Sequence, residues 1–228
     1  MQIISLTTTF FFAFTALVFT VEPAVILSDD FSVNPVHKKT MEVAPGVQRR
    51  TTFGKWERVA PGTLKVTNVP EDKHGPVLVY TIPIDNAVLR CDFKLPEAPA
   101  ENRHFRIFLD HPDYAGHTLN ATANISSKFR PPGLSLQHLQ KDKKTKKPRV
   151  DLEFETVAVD LAPGTWYTMK VTLIDETAKV EIDGKILTEG RSEYLDVTKN
   201  KIGLNPGIAG GWIRNFVVTE LPTTITGQ

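Results

Sequence analysis

Beyond Asp29 the chain runs in short stretches of alternating apolar and polar residues, punctuated by Pro, Gly, Asn and Asp. No stretch keeps the 3.6-residue period of an amphipathic helix. A period of two sends successive side chains to opposite faces of a strand. The clearest case is 87–95, where Ala87, Leu89, Cys91, Phe93 and Leu95 form one row and Val88, Arg90, Asp92 and Lys94 the other. A one-residue slip would bury the charged row, so the register is well specified. Similar patterns predict strands over 63–69, 77–82, 105–110, 119–125, 134–139, 150–156, 166–174, 179–182 and 212–220. Asp175 to Ala178 and Asp183-Gly184 carry tight-turn chemistry. About ten strands and no helix predict an all-β fold, a sandwich of two antiparallel sheets. Pro131-Pro132-Gly133 and the lysine-rich stretch Lys141 to Arg149 are closely flanked by strands and read as loops, so one domain over 29–222 is expected.

The first residues follow a different pattern. Ile3 to Val21 is almost wholly apolar or Thr and is closed by Glu22-Pro23. Residues 1–24 read as a signal peptide or, because the run is about long enough to span a bilayer, as a retained N-terminal anchor. Either reading places the domain outside the cytosol: secreted, periplasmic or in the cell envelope. A membrane contact is expected only for the retained anchor. Cys91 is the sole cysteine of the 228 residues, so no internal disulfide can form, and its place in the apolar row marks it as a buried small hydrophobe. At 41% hydrophobic residues with 13 Phe the chain can bury a sizeable core. With 27 basic against 26 acidic residues the net charge is +1, which gives no bulk attraction to nucleic acid.

Three stretches together resemble the concanavalin A-like lectin/glucanase superfamily, and within it the 3-keto-disaccharide hydrolase group. They are Asp29-Asp30-Phe31 with Gly54-Lys55-Trp56-Glu57 and Pro61 to Val66; Gly164-Thr165-Trp166-Tyr167-Thr168 continuing to Val180-Glu181-Ile182-Asp183-Gly184-Lys185; and Ile213 to Val218. The resemblance implies a concanavalin A-like jelly roll whose closing strand pairs near the first. It also implies an activity on oxidised disaccharides. The matching motifs are Trp packing, hairpin turns and a closing strand, which hydrolases share with lectins and adhesion modules, so they speak for fold more than for chemistry.

If Phe105, Ile107 and Leu109 face the core, then His104, Arg106, Phe108 and Asp110 face outward, on the side that serves as the ligand surface in this fold class. An imidazole, a guanidinium, a ring and a carboxylate on one strand are the groups that sugar recognition uses. The alternative is an ordinary solvated face. His111, His117 and His138 lie nearby in sequence, but their spacing matches no zinc signature, so no metal site is assigned and a divalent metal stays open. His138, in phase with Leu134 and Leu136, reads equally as a structural histidine. Asp151, Glu153 and Glu155 line one face of a strand but differ in order and position from the glucanase acid pair, and are read as a polar outer face.

Two functional expectations follow. One is an exported 3-keto-glycoside hydrolase or lyase. In it His104, Asp110 and His138 act as acid and base, while Arg106 and Phe108 bind substrate and Arg106 stabilises the enolate formed when the proton beside the ketone is lost. No cofactor is required. The other is a non-catalytic glycan-binding or cell-envelope interaction module on the same fold. Both take a carbohydrate partner.

Overall fold

A computed structural model describes residues 22–97, 102–126, 132–142 and 150–222. The apolar leader up to Val21 and positions 143–149 of the lysine-rich stretch lie outside the described residues. Sixteen strands follow in chain order. The first eight are β1 (Ala24–Asp29), β2 (Thr40–Ala44), β3 (Val47–Phe53), β4 (Lys55–Ala60), β5 (Thr63–Thr67), β6 (Val77–Ile84), β7 (Ala87–Lys94) and β8 (Arg103–Asp110). The rest are β9 (Tyr114–Ser126), β10 (Gly133–Asp142), β11 (Val150–Val157), β12 (Trp166–Ile174), β13 (Thr177–Ile182), β14 (Lys185–Arg191), β15 (Lys199–Asn205) and β16 (Gly211–Glu220).

They form two antiparallel eight-stranded sheets packed as a jelly-roll sandwich. The first runs β14-β13-β12-β7-β16-β5-β4, with β1 also on β16; the second runs β11-β10-β9-β8-β15-β6-β3-β2. The sandwich thus includes residues ahead of Asp29, because β1 already pairs with the closing strand from Ala24↔Glu220 to Asp29↔Phe216.

The alternation seen in the sequence sets the two faces. Ala87, Leu89, Cys91 and Phe93 of β7 and Phe105, Ile107 and Leu109 of β8 are buried in one core. Phe93 stacks on Phe105 at 4.6 Å and Tyr80 on Phe216 at 4.7 Å, each pair joining one sheet to the other. Burial pushes the Cys91 thiol well above its ordinary range, as expected of a packing residue.

The core also holds an ionic group. Asp29 accepts from Arg49 Nη1 at 2.6 Å and from the Tyr80 hydroxyl at 2.8 Å, while its other oxygen caps the Phe31 amide at 2.8 Å. Arg49 Nη2 reaches the Val33 carbonyl at 2.6 Å, and its guanidinium lies over the Phe31 ring. A carboxylate of the first sheet is thereby paired with a guanidinium and a phenol of the second, which is what permits their burial, while Arg49 Nε is left without a hydrogen bond among the described residues. This explains the Asp29-Asp30-Phe31 motif: it is a clasp between the sheets.

Candidate functional site

The outer face of the second sheet carries a groove assembled from strands far apart in sequence. β8 sits between β9 and β15, with Arg106 opposite Thr122 and Asn205, and Phe108 opposite Asn120 and Gly203. Beyond β15 come β6 and β3, where Val79 faces Gly203 on one side and Arg50 on the other. Two adjoining hollows open on this face, about 340 Å³ and about 480 Å³, and both are bordered by His74, Arg106 and Asn205. Together they form a groove. Its floor at the larger end is apolar, made by Val77, Val79 and Phe108.

Gly203 makes this floor low. A Cβ there would stand 1.9 Å from Phe108 Cζ, so the Phe108 ring lies flat across the glycine. The His117 ring packs on it at a tilt, 4.3 Å between centroids. Only 6% of Phe108 remains exposed. The ring is therefore part of the floor, and the free stacking face expected for it is used within the protein. A different aromatic pair stands in the groove: Phe53 and His74 stack at 4.5 Å and both border the larger hollow.

Most of the polar groups are held by neighbours. Asn205 Oδ1 accepts from Gly207 N at 2.8 Å and from His104 Nε2 at 3.2 Å. This fixes the amide orientation. Asn205 lines both hollows, and its NH2 has no protein partner among the described residues. Arg106 Nε donates to Thr122 Oγ1 at 3.2 Å, and His117 Nδ1 meets Asp110 Oδ1 at 2.7 Å. Gly207 approaches so closely that a Cβ would come within 3.0 Å of the His104 ring. Such groups present fixed donors and acceptors without reorganisation, the arrangement from which sugar hydroxyls gain orientation.

The structure brings His104, Arg106, Phe108 and Asp110 to this face and leaves His138 elsewhere. His138 is fully buried, donates from Nδ1 to the Thr118 carbonyl at 2.7 Å and stacks on Tyr194 at 4.8 Å. It borders neither hollow, so it does not join His104 and Asp110 in an acid–base set. Those two are themselves six residues apart on one strand, roughly 20 Å at the ordinary rise per residue. Acid and base at a glycosidic bond stand at most about 10 Å apart. The catalytic trio expected from sequence is not assembled.

Among the described residues no group of three or more His, Cys, Asp or Glu stands close enough to share a metal ion. His111 takes the Asp113 amide on Nδ1 at 3.1 Å and packs on Tyr114 in the turn after β8. Asp151, Glu153 and Glu155 lie on edge strand β11, where register sets Glu153 opposite Gln137; their side chains lie outside those described. Asn120 and Asn124, which begin two glycosylation sequons, are buried on β9 and closed to glycan attachment in the folded chain.

Arg50, Phe53, His74, Lys201 and Asn205 escaped the sequence reading. Gln48, Arg50 and Thr52 do alternate in sequence, but the positions between them include buried Arg49 and Thr51, so no apolar row marks the strand.

No family model matches the sequence, and no curated protein matches it. Solved structures do match in three dimensions. The CBM2 module of the evolved Dit protein of Lactobacillus casei BL23 phage J-1 aligns with 87% of this chain and 96% of its own at 12% identity, with a TM-score of 0.57. The shared fold is a jelly-roll sandwich of two antiparallel sheets. The carbohydrate-binding module CBM66 of Bacillus subtilis covers 74% of this chain and 92% of its own at 8% identity and a TM-score of 0.50. The binding domain of botulinum neurotoxin DC, solved with SialylT, covers 87% of this chain and 48% of its own at 14% identity and a TM-score of 0.53. At these identities the likeness is one of architecture.

Proposed function

We propose that this chain is a non-catalytic glycan-binding module whose ligand lies in the groove on the outer face of the second sheet. The observation that carries the reading is the groove itself: an apolar floor, a Phe53–His74 stack, and the side chains of His104, Arg106 and Asn205 in fixed orientations. Aromatic surface beside oriented polar groups is what a pyranose ring with its equatorial hydroxyls requires. The architectural likeness to a carbohydrate-binding module, and to a toxin domain solved with a glycan, supports the same reading. The separation of His104, Asp110 and His138 favours binding over turnover. The exported location read from the leader belongs to this proposal, since such modules meet their glycans outside the cell.

A glycan array probed with the full chain, followed by calorimetry on each hit, tests it. Saccharide binding is expected, with the affinity falling at least about tenfold in His104→Ala and in Arg106→Ala, the loss for one or two hydrogen bonds to charged or oriented groups. Sugar release from 3-keto-glycosides that is abolished by His104→Ala would restore the hydrolase. Absence of binding across the array would defeat the proposal.

A further inference from the structure

The groove has an electrostatic character that the net charge of +1 conceals. Three cationic side chains border its larger part: Arg50 from β3, Lys201 from β15 and Arg106 from β8. Among the described residues that border it the one carboxylate is Asp110, already engaged by His117 at 2.7 Å. Arg50 and Lys201 are exposed, and neither has an ion pair or hydrogen-bond partner among the described residues. Elsewhere on the surface several cations do find carboxylates: Lys55 meets Glu57, Lys170 meets Glu181, Lys179 meets Glu189 and Arg191 meets Glu176, all within 3.1 Å. Within the groove Arg50 and Lys201 meet no carboxylate among the described residues. Beside an apolar floor their field is less damped than on open surface, so the groove concentrates anions.

We infer that the glycan bound here is an anionic one, a short oligosaccharide carrying carboxylate or sulfate groups, with Arg50 and Lys201 as the residues that select it. The inference rests on the glycan-binding reading and sharpens it. Spacing argues for an oligosaccharide over a free inorganic anion. Arg50 shares a cross-strand row with Val79 and Gly203, while Lys201 shares one with Thr81 and Asp110. Two inter-strand spacings and two residues therefore separate them, about 12 Å between backbones, and the Arg106 backbone lies about 14–16 Å from each. The three side chains are thus anchored at separate points along the groove. A charged sugar chain laid along the floor touches two or three.

The test is calorimetry on the full chain with four probes: an oligouronate, its carboxyl-reduced neutral counterpart, a sulfated galactan oligosaccharide, and sodium sulfate alone. One or both charged saccharides bind, and which one does identifies the anion. The reduced oligosaccharide and free sulfate bind at least about tenfold more weakly. Arg50→Gln and Lys201→Gln each weaken the charged ligand about five- to tenfold and flatten its dependence on salt, with the melting temperature unchanged. If the neutral saccharide binds as tightly as its acidic parent, or both variants retain full affinity, the anionic assignment is wrong and the glycan-binding reading survives. If free sulfate binds as tightly as the saccharides, the groove is an anion site and the assignment also falls. If no saccharide of any kind binds here or on a wider array, the glycan-binding reading falls and takes this inference with it.

Discussion

Lys199 offers the sharpest test of the energetics. It opens β15 with its side chain turned inward, 2% exposed, where Nζ donates to the Asp85 carbonyl at 3.3 Å. Burial lowers its pKa from 10.5 to about 8, even though the Asp85 and Asp196 carboxylates pull the other way. Below pH about 8 the ammonium is charged in both folded and unfolded chains, and folding carries the whole desolvation cost. From the gap between 10.5 and about 8 that cost is about 3 kcal/mol, at ~1.4 kcal/mol per pH unit. Between those two values the folded chain gives up the proton while the unfolded chain keeps it, so this group's contribution to stability rises with pH. Above them the cost is gone.

Replacing the ammonium in Lys199→Met removes the cost together with one hydrogen bond worth about 1 kcal/mol, for a net gain of about 2 kcal/mol at neutral pH. By pH about 10 the advantage shrinks to within about 0.5 kcal/mol of zero. Cys91 and Tyr80, whose pKa values burial raises, act oppositely at alkaline pH: the folded chain holds protons that the unfolded one loses. That trend is common to both proteins and cancels in their difference. Urea unfolding of the pair at pH about 7, 8, 9 and 10 measures it, the midpoints giving the difference if the slopes agree. Parallel pH profiles, or a variant less stable than the parent at neutral pH, would refute the reasoning.

Three further outcomes follow from the packing. Arg49→Met strands the Asp29 carboxylate between the sheets and costs about 3–5 kcal/mol by urea titration, whereas Arg49→Met combined with Asp29→Leu recovers much of the loss; an additive double variant would contradict the clasp. Gly203→Ala forces Phe108 off the groove floor, so a stability loss of about 1–3 kcal/mol and loss of saccharide binding are expected together, and an unchanged thermal melt would show that the ring is not seated there. The Cys91 thiol resists thiol-specific reagents until the protein unfolds, so its labelling rate should track denaturant unfolding; rapid labelling of the native protein would place it outside the core.

Much of the sandwich could be read from residue pattern because β7 and β8 obey strict alternation. β3 and β15 could not. In β3 the inward positions include Arg49 and Thr51, polar residues satisfied by partners that sequence does not reveal. In β15 a register irregularity between Lys199 and Lys201 breaks the period of two just where buried Ile202 begins. The candidate site suffered from a related blindness. Alternation correctly set His104, Arg106, Phe108 and Asp110 on one face, but it says nothing of which strands lie alongside. The groove needed β15, β6 and β3 beside β8, and it is those neighbours that supply Asn205, Arg50, Lys201 and the Phe53–His74 pair. His138 was drawn into the site by sequence proximity, while its parity with Leu134 and Leu136 had already pointed it inward.

The place of β16 has a consequence for how the protein is made. Last of the described strands, it lies in the middle of its sheet, between β7 on one side and β5 with β1 on the other. Until β16 has been made, the first sheet is two fragments with bare edges facing an empty slot, and β1 has no partner there. Assembly must therefore wait until residues 211–220 have been made and then join strands as distant in sequence as β1 and β16, a slow step that leaves the growing chain open to unwanted strand pairing in the meantime. A chain cut short before Gly211 would not be a slightly smaller sandwich. It would lack the seam along which the sheet is sewn.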